Sequence, residues 1–275
     1  MSHVISYALN HMVAPRKSFA ELIALTTSLG LDQVEIRNDL EGVAIADGTP
    51  PSRIRDEAAA GGVRILSINA LQRFNDWNDQ RVDEAIALAR YARDCGAEAL
   101  VLCPVNDAGY RFSESERRRE LRHALRALAP ILAEAGIIGL IEPLGFAESS
   151  LRLKGDAVEA IEEEGLGERF RIVHDTFHHY LAGEPRMFPE WTGLVHISSV
   201  EDDLPLDRLR DEHRGLVGAN DILGTLGQIL ALIEGCDGPY AFEPFAPSVH
   251  AAGDIAGALE SSMHWIDREI ARLPV

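Results

Sequence analysis

One pattern recurs along the chain: a stretch of helical period closes at a glycine, and a short β-rich apolar run follows. Ser18-x-x-Glu21 has the form of a capping box, and Phe19, Leu22, Ile23 and Leu29 share the face of the helix behind it. Gly30 offers a left-handed stop, and residues 33–37 read as a strand. A helix from about residue 52 stops at Gly61-Gly62, ahead of a strand over 63–69. A helix from about residue 79 buries Val82, Ala85, Ile86 and Ala89, stops at Gly96 and gives way to a strand over 99–103. Ser113-x-x-Glu116 caps a helix with the stripe Leu121, Leu125, Leu128 and Leu132, kinked at Pro130 and stopped at Gly136. Strands over 137–142, 170–175, 194–200 and 240–243 follow. Between them run a helix capped by Asp156 that ends near Gly165 and another from Asp221 to near Gly235. A last helix carries Ile255, Leu259, Met263, Ile266 and Ile270 on one face.

With residues 4–9 as the first strand, eight strands alternate with helical segments. Near-continuous apolar strands between helices indicate a parallel sheet covered on its outer side. Eight such units in about 250 residues is the size of a (β/α)8 TIM barrel, one α/β domain over 1–275. A doubly wound open sheet is the competing arrangement. Residues 10–15 after the first strand carry no glycine-rich fingerprint, which disfavours dinucleotide binding. No low-complexity linker divides the chain.

Composition narrows the partners. The 275 residues carry 26 Lys and Arg against 44 Asp and Glu, a net charge of −18. Nucleic acid and anionic membranes need a basic face, so neither is an expected partner. No run reaches the ~18 apolar residues of a membrane span, and the first ten residues lack the features of a signal peptide. The three cysteines are too few and too scattered for a disulfide framework, so a reducing cytoplasm is the expected location. Oligomeric state is open, with a homo-oligomer allowed. What remains is whether a few of the 44 carboxylates converge.

In a barrel of this kind catalytic groups stand at the C-terminal ends of the strands. The ends of strands five to eight offer Glu142, Asp175, His196 and Glu243, each in or just after an apolar run. Any one of them alone is as readily a loop starter or cap. Together, three converging carboxylates repel unless a cation stands among them. Three oxygens and an imidazole suit Mn²⁺, Mg²⁺, Co²⁺ or Zn²⁺.

These residues, with their surroundings, resemble the xylose-isomerase-like superfamily of sugar isomerases and epimerases. The likeness is strongest to its 2-keto-myo-inositol isomerase (inosose isomerase) branch. It is carried by Val34-Glu35-Ile36-Arg37, by Ile68-Asn69-Ala70-Leu71 with Phe74-Asn75, and by Glu142-Pro143-Leu144-Gly145. Asp175-Thr176-Phe177-His178, His196-Ile197 and Glu243-Pro244-Phe245 complete it. The resemblance implies one divalent metal held by Glu142, Asp175, His196 and Glu243. It further implies that Glu142 and Glu243 transfer protons and that His178 touches a substrate oxygen. The implied activity is isomerisation or epimerisation of a polyhydroxy ketone, an inosose or related ketose, through an enediolate, as in inositol catabolism.

Other residues take secondary roles. Asn10 and Asn69 either bond substrate hydroxyls or cap loops; Phe74 and Arg214 are further substrate contacts, the latter alternatively a solvated loop arginine. Glu35 and Arg37 lie two apart on one strand, so they share a face. They are expected as a buried ion pair in preference to the alternative, contact with substrate. His174 and His179 should point away from the site. Cys103 reads as a small apolar filler, and Trp191 and Trp265 as packing residues.

The pattern departs from its relatives in places. The loop after strand seven, 215–221, has altered spacing, and Asp202 replaces an arginine usual in ketose 3-epimerases. A dehydratase of the inosose or dehydroshikimate kind is the main alternative, since it shares the enolate. An endonuclease IV-like nuclease would use Asp211-x-His213, but Asn69 and Cys103 stand where it needs histidines. A non-catalytic sugar-binding barrel has no use for two bases around a metal.

Overall fold

The computed structural model describes residues 5–42, 45 and 47–272. Eight strands close into a parallel barrel in sequence order. They are β1 Tyr7–Asn10, β2 Gln33–Arg37, β3 Arg64–Gln72, β4 Ala99–Cys103, β5 Ile138–Ile141, β6 Phe170–Asp175, β7 Thr192–Ile197 and β8 Tyr240–Phe242. Closure is made by β8 against β1, with Tyr7, Ala8 and Leu9 beside Tyr240, Ala241 and Phe242. The helices are α1 Phe19–Ser28, α2 Pro51–Gly61, α3 Asp79–Cys95, α4 Glu114–Ala135, α5 Lys154–Glu163, α6 Thr176–Ala182, α7 Thr225–Leu232, α8 Pro247–His250 and α9 Ile255–Ala271. The single (β/α)8 barrel expected from the pattern is therefore the fold.

Local signals act as the sequence suggests. Ser18 and Ser113 both close true capping boxes. Gly62, Gly96 and Gly136 sit at positive φ as helix C-caps, where an L side chain is strained. Leu121, Leu125, Leu128 and Leu132 are buried, and α4 continues unbroken through Pro130.

Several boundaries differ. Residue 4 of the expected first strand lies outside the described residues. β3 runs on to Gln72 because it slips register against β4 between Ile68 and Leu71 and pairs again beyond. In α3 the wholly buried face is Arg81, Ala85, Ala89 and Ala92, whereas Val82 and Ile86 are half-buried. Asp156 does not cap α5. Glu184, far along the chain, accepts from the backbone N–H groups of Lys154 and Gly155 instead. Likewise α7 starts at Thr225, while Asp221 receives the N–H groups of Val200, Leu223 and Thr225. α6, directly after β6, has no counterpart in the apolar pattern; its N-cap is Asp175 itself.

Strand alternation separates two apolar regions. Leu9, Val34, Ile36, Leu100, Leu102, Ile141, Ile172, Val195, Ile197 and Phe242 face outward into the main core beneath the helices. Ala8, Val101, Leu140, Val173, Leu194 and Ala241 face inward and form a plug inside the barrel. Two residues on from these six stand Asn10, Cys103, Glu142, Asp175, His196 and Glu243. A side-chain period of two thus carries all six to the inner face, one layer above the plug.

Candidate active site

That layer is built by the strand ends. Glu142 and Glu243 each stand one residue past the last ladder position of β5 and β8, while Asp175 ends β6 and His196 lies in β7. All four are almost wholly buried, and one ligand atom from each lies within 4.8 Å of the others. His196 Nδ1 is 2.8 Å from Glu142 Oε1, 3.3 Å from Glu243 Oε2 and 3.9 Å from Asp175 Oδ2. Metal bonds of about 2.0–2.2 Å put neighbouring ligand atoms at such separations, so the donor set and its spacing fit a divalent ion. The four residues proposed from the strand ends are therefore brought together.

Two arginines complete the layer. Arg214 is buried, not solvated. Its Nη2 donates to Asp175 Oδ2 at 2.6 Å and to Glu243 Oε2 at 2.8 Å. Its Nε donates to Ser198 Oγ, its Nη1 to Asp211, and its plane lies 4.6 Å from the Phe245 ring centre. Arg37 Nη1 donates to Glu243 Oε1 at 2.7 Å, while its other nitrogens grip Asp39. Asn10 and Asn69 also donate to Glu243 Oε1. Burial alone would raise the Glu243 carboxyl, but His196, Arg214 and Arg37 outweigh it and hold it well below the usual carboxylate range. Burial likewise disfavours the charged His196 imidazole, yet Glu243, Glu35 and Glu142 together push it well above its ordinary value. Within the buried layer four carboxylates, Glu35, Glu142, Asp175 and Glu243, face two guanidiniums. With His196 neutral, as a metal ligand must be, the surplus of two negative charges matches one dication; in the metal-free protein a protonated His196 carries part of that balance.

The secondary expectations fare unevenly. Glu35 and Arg37 do share the inner face, but they make no ion pair. Residues two apart on a strand are about 6.5 Å apart, and each finds a nearer partner across the sheet. Register sets Glu35 beside Asn10 and Ser67, and Arg37 beside Asn69. Glu35 has no exposed surface and gives its oxygens to His196, Ser67 and Asn10. Phe74 is likewise fully buried, in the main core. Neither presents surface to a substrate. Asn10 caps as one expectation had it, its Oδ1 accepting from the Met12 N–H, while its Nδ2 donates to Glu35 and Glu243.

His178 stands at the edge of the layer, its N–H donating to Asp175 Oδ1 and its ring edge-on to Phe146 and Phe177. Gly145 permits this approach, because a Cβ there would strike the His178 carbonyl oxygen. Cys103 is more than filler, since its Sγ lies 3.4 Å from Glu142 Oε2. Burial and the Glu142 charge raise its thiol well above the ordinary value, so it stays protonated and can donate. His174 points away from the site, as expected. Asp211 pairs with Arg214, and His213 bonds Arg210; neither joins the cluster.

Sequence reasoning missed the clamp on Glu243 and the Asp39 and Asp211 carboxylates that hold its two arginines. The signal was present in β2 and just beyond it, where Glu35, Arg37 and Asp39 recur at the strand period between Val34, Ile36 and Asn38. Charges at alternate positions imply a polar inner layer.

Comparison with known proteins agrees with this geometry. A search of curated proteins finds no match. A xylose isomerase domain-containing protein from Salmonella typhimurium LT2 is 32% identical, with a TM-score of 0.87 and coverage of 97% of both chains. IolI, whose structure holds a zinc atom, is 18% identical at a TM-score of 0.81, covering 97% of this chain and 98% of that one. The probable 3-DHS dehydratase AsbF from Bacillus anthracis is 14% identical at 0.73, covering 94% and 98%. The last two likenesses are of fold alone. Residues 23–269 match the model of the xylose isomerase-like TIM barrel family, and the chain belongs to that family.

Proposed function

We propose that this protein is a divalent-metal-dependent isomerase of a polyhydroxy ketone, moving a proton between adjacent carbons through an enediolate. One observation carries the reading: four ligand atoms converge in a buried layer where carboxylates outnumber guanidiniums. Glu142, Asp175, His196 and Glu243 would hold the ion, with Mn²⁺, Mg²⁺, Co²⁺ and Zn²⁺ as candidates. When bound, the ion supplies Lewis-acid polarisation of a carbonyl and offsets the charge that grows on its oxygen.

The remaining work falls to this chain. The two flanking glutamates are not equivalent. Glu243 accepts from Arg37, Arg214, Asn10 and Asn69, which fix it and lower its basicity. Glu142 touches no guanidinium among the described residues; its partners are His196 and the weakly donating Cys103 thiol. Glu142 is therefore the group that takes the proton from one carbon and returns it to the next. Arg214 keeps Asp175 and Glu243 from repelling each other. His178 donates to a substrate oxygen at the mouth, where it, Glu142 and Arg37 keep 4–5% exposure. A single mobile base on one side of the substrate suits isomerisation better than epimerisation with two opposed bases. The segment 68–75, shared with the inosose isomerase branch, supports an inosose as substrate.

The test is to incubate metal-loaded protein with 2-keto-myo-inositol in D₂O and follow ring protons by NMR. Deuterium uptake with formation of an isomer is expected. No exchange with any inosose or ketose would overturn the reading. Exchange accompanied by loss of water would make the protein a dehydratase, which shares the first step.

A further inference from the structure

We propose that Glu35 is the positioning residue of the metal centre, holding the proton of His196 on Nε2 so that Nδ1 turns its lone pair toward Glu142, Asp175 and Glu243. The proposal rests on the metal reading above. Glu35 reaches the ring from β2, across the barrel interior from β7. Its Oε1 lies 3.0 Å from His196 Nε2, on the side of the ring away from the other three carboxylates. An ionised carboxylate only accepts, so this contact places a proton on Nε2; the 2.8 Å contact of Nδ1 with Glu142 holds a second proton in the metal-free protein, the one a metal would displace.

The carboxylate is itself held. Ser67 Oγ donates to Oε2 at 2.6 Å, and Asn10 Nδ2 donates to Oε1 at 3.2 Å. Asn10 is anchored in turn by the Met12 N–H on its Oδ1 at 2.9 Å. A chain of bonds therefore runs from the backbone after β1 to the ring of His196. Glu35 and His196 both have no solvent exposure, so the bond is not diluted by water and substrate cannot reach Glu35. A neutral acceptor would orient the ring equally well. An anion does more, because its charge raises the basicity of Nδ1 toward a cation.

The experiment is calorimetric titration of metal-free protein with Zn²⁺ and Co²⁺, for wild type, Glu35→Gln and Ser67→Ala. Long-range ¹H–¹⁵N correlation of the His196 ring is recorded in parallel. Glu35→Gln keeps the shape and an acceptor oxygen but removes the charge. Zn²⁺ affinity is expected to fall about 10–100-fold in this variant, with a smaller loss in Ser67→Ala. The wild-type ring should show its proton on Nε2 in the loaded state. If wild type binds neither ion, the metal reading itself fails. If wild type binds and Glu35→Gln binds within twofold of it, or the wild-type ring carries its proton on Nδ1, the positioning role alone is overturned.

Discussion

Asp175 and His174 are neighbours on β6, yet they belong to two buried polar clusters of opposite character. Asp175 faces inward, into a layer where carboxylates outnumber guanidiniums. His174 faces outward, beneath α5 and α7. There the Lys154 amine lies 2.7 Å from His174 Nδ1 and 3.0 Å from His179 Nδ1, and no carboxylate bonds it among the described residues. Gln228 donates its amide to Thr176 and Leu223, so its oxygen accepts from His174 Nε2. The Nδ1 of that tautomer is then free to accept from Lys154. Burial lowers Lys154 to about 7, only partly opposed by Glu184, and lowers His179 to about 4. The outer cluster thus sheds charge by giving up protons. The inner cluster keeps its charge, with a protonated His196 among its carboxylates in the absence of a cation. A buried amine with no carboxylate bonded to it sheds its charge, whereas buried charges set against partners of opposite sign keep theirs.

The largest expected effect tests Glu142, the glutamate of the inner layer that is proposed as the base. Glu142→Gln should cut turnover about 10²–10⁴-fold, the range of a lost general base, with the melting temperature little changed. Turnover near wild type would remove Glu142 from the base role. Next, Arg214→Met leaves Asp175 with no guanidinium and Glu243 with Arg37 alone, so urea unfolding of the metal-free protein should show a loss of about 3–5 kcal/mol. Added Zn²⁺ should restore part of that loss, because the ion takes over the neutralisation. A variant as stable as wild type without metal would show that the layer's charges are already relieved in another way.

Stability against pH reads the outer cluster. Lys154 is depressed from 10.5 to about 7 in the folded state. Between those values the unfolded chain holds more protons, so this group makes stability rise with pH, by up to ~1.4 kcal/mol per unit. Lys154→Met should flatten that rise between pH 7 and 10, measured by chemical unfolding at each pH. An unchanged slope would show that the amine stays charged when buried. His196 acts with the opposite sign in the metal-free protein. Its folded value is raised, so its contribution is full below about pH 6.5 and is lost as pH climbs through the folded value. The smallest effect concerns the shared edge of the outer cluster: Glu184→Ala removes the distant cap of α5 and should cost about 1 kcal/mol in the same unfolding assay. No measurable loss would mean that solvent satisfies those N–H groups equally well.

The ligand set was legible because each member stands two residues after an inward apolar residue, and strand period alone then fixes its face. The partner choices were not legible. Glu35 and Arg37 share a face, but which side chain each meets depends on β1, β3, β7 and β8 lying beside or across from them. Arg214 is expected from sequence as a substrate contact or a solvated loop arginine, and its pairing with Asp175 and Glu243 is not visible there. Its burial follows from the loop after β7 folding back over Phe245, whose N–H bonds the Arg214 carbonyl. Phe74 belongs to a recognisable motif, yet the fold buries it fully in the main core.

By itself, the sequence determined the barrel, its strand order and the four residues at the ends of β5 to β8. These follow from local periods, caps and glycine stops, which act over a few residues. Tertiary structure alone decided the electrostatics: which glutamate is clamped and which is free, which ring nitrogen faces the carboxylates, and where charge is retained. Those outcomes turn on contacts between residues from 29 to 233 positions apart, as from Arg214 and from Asn10 to Glu243, and only closure of the barrel sets such distances.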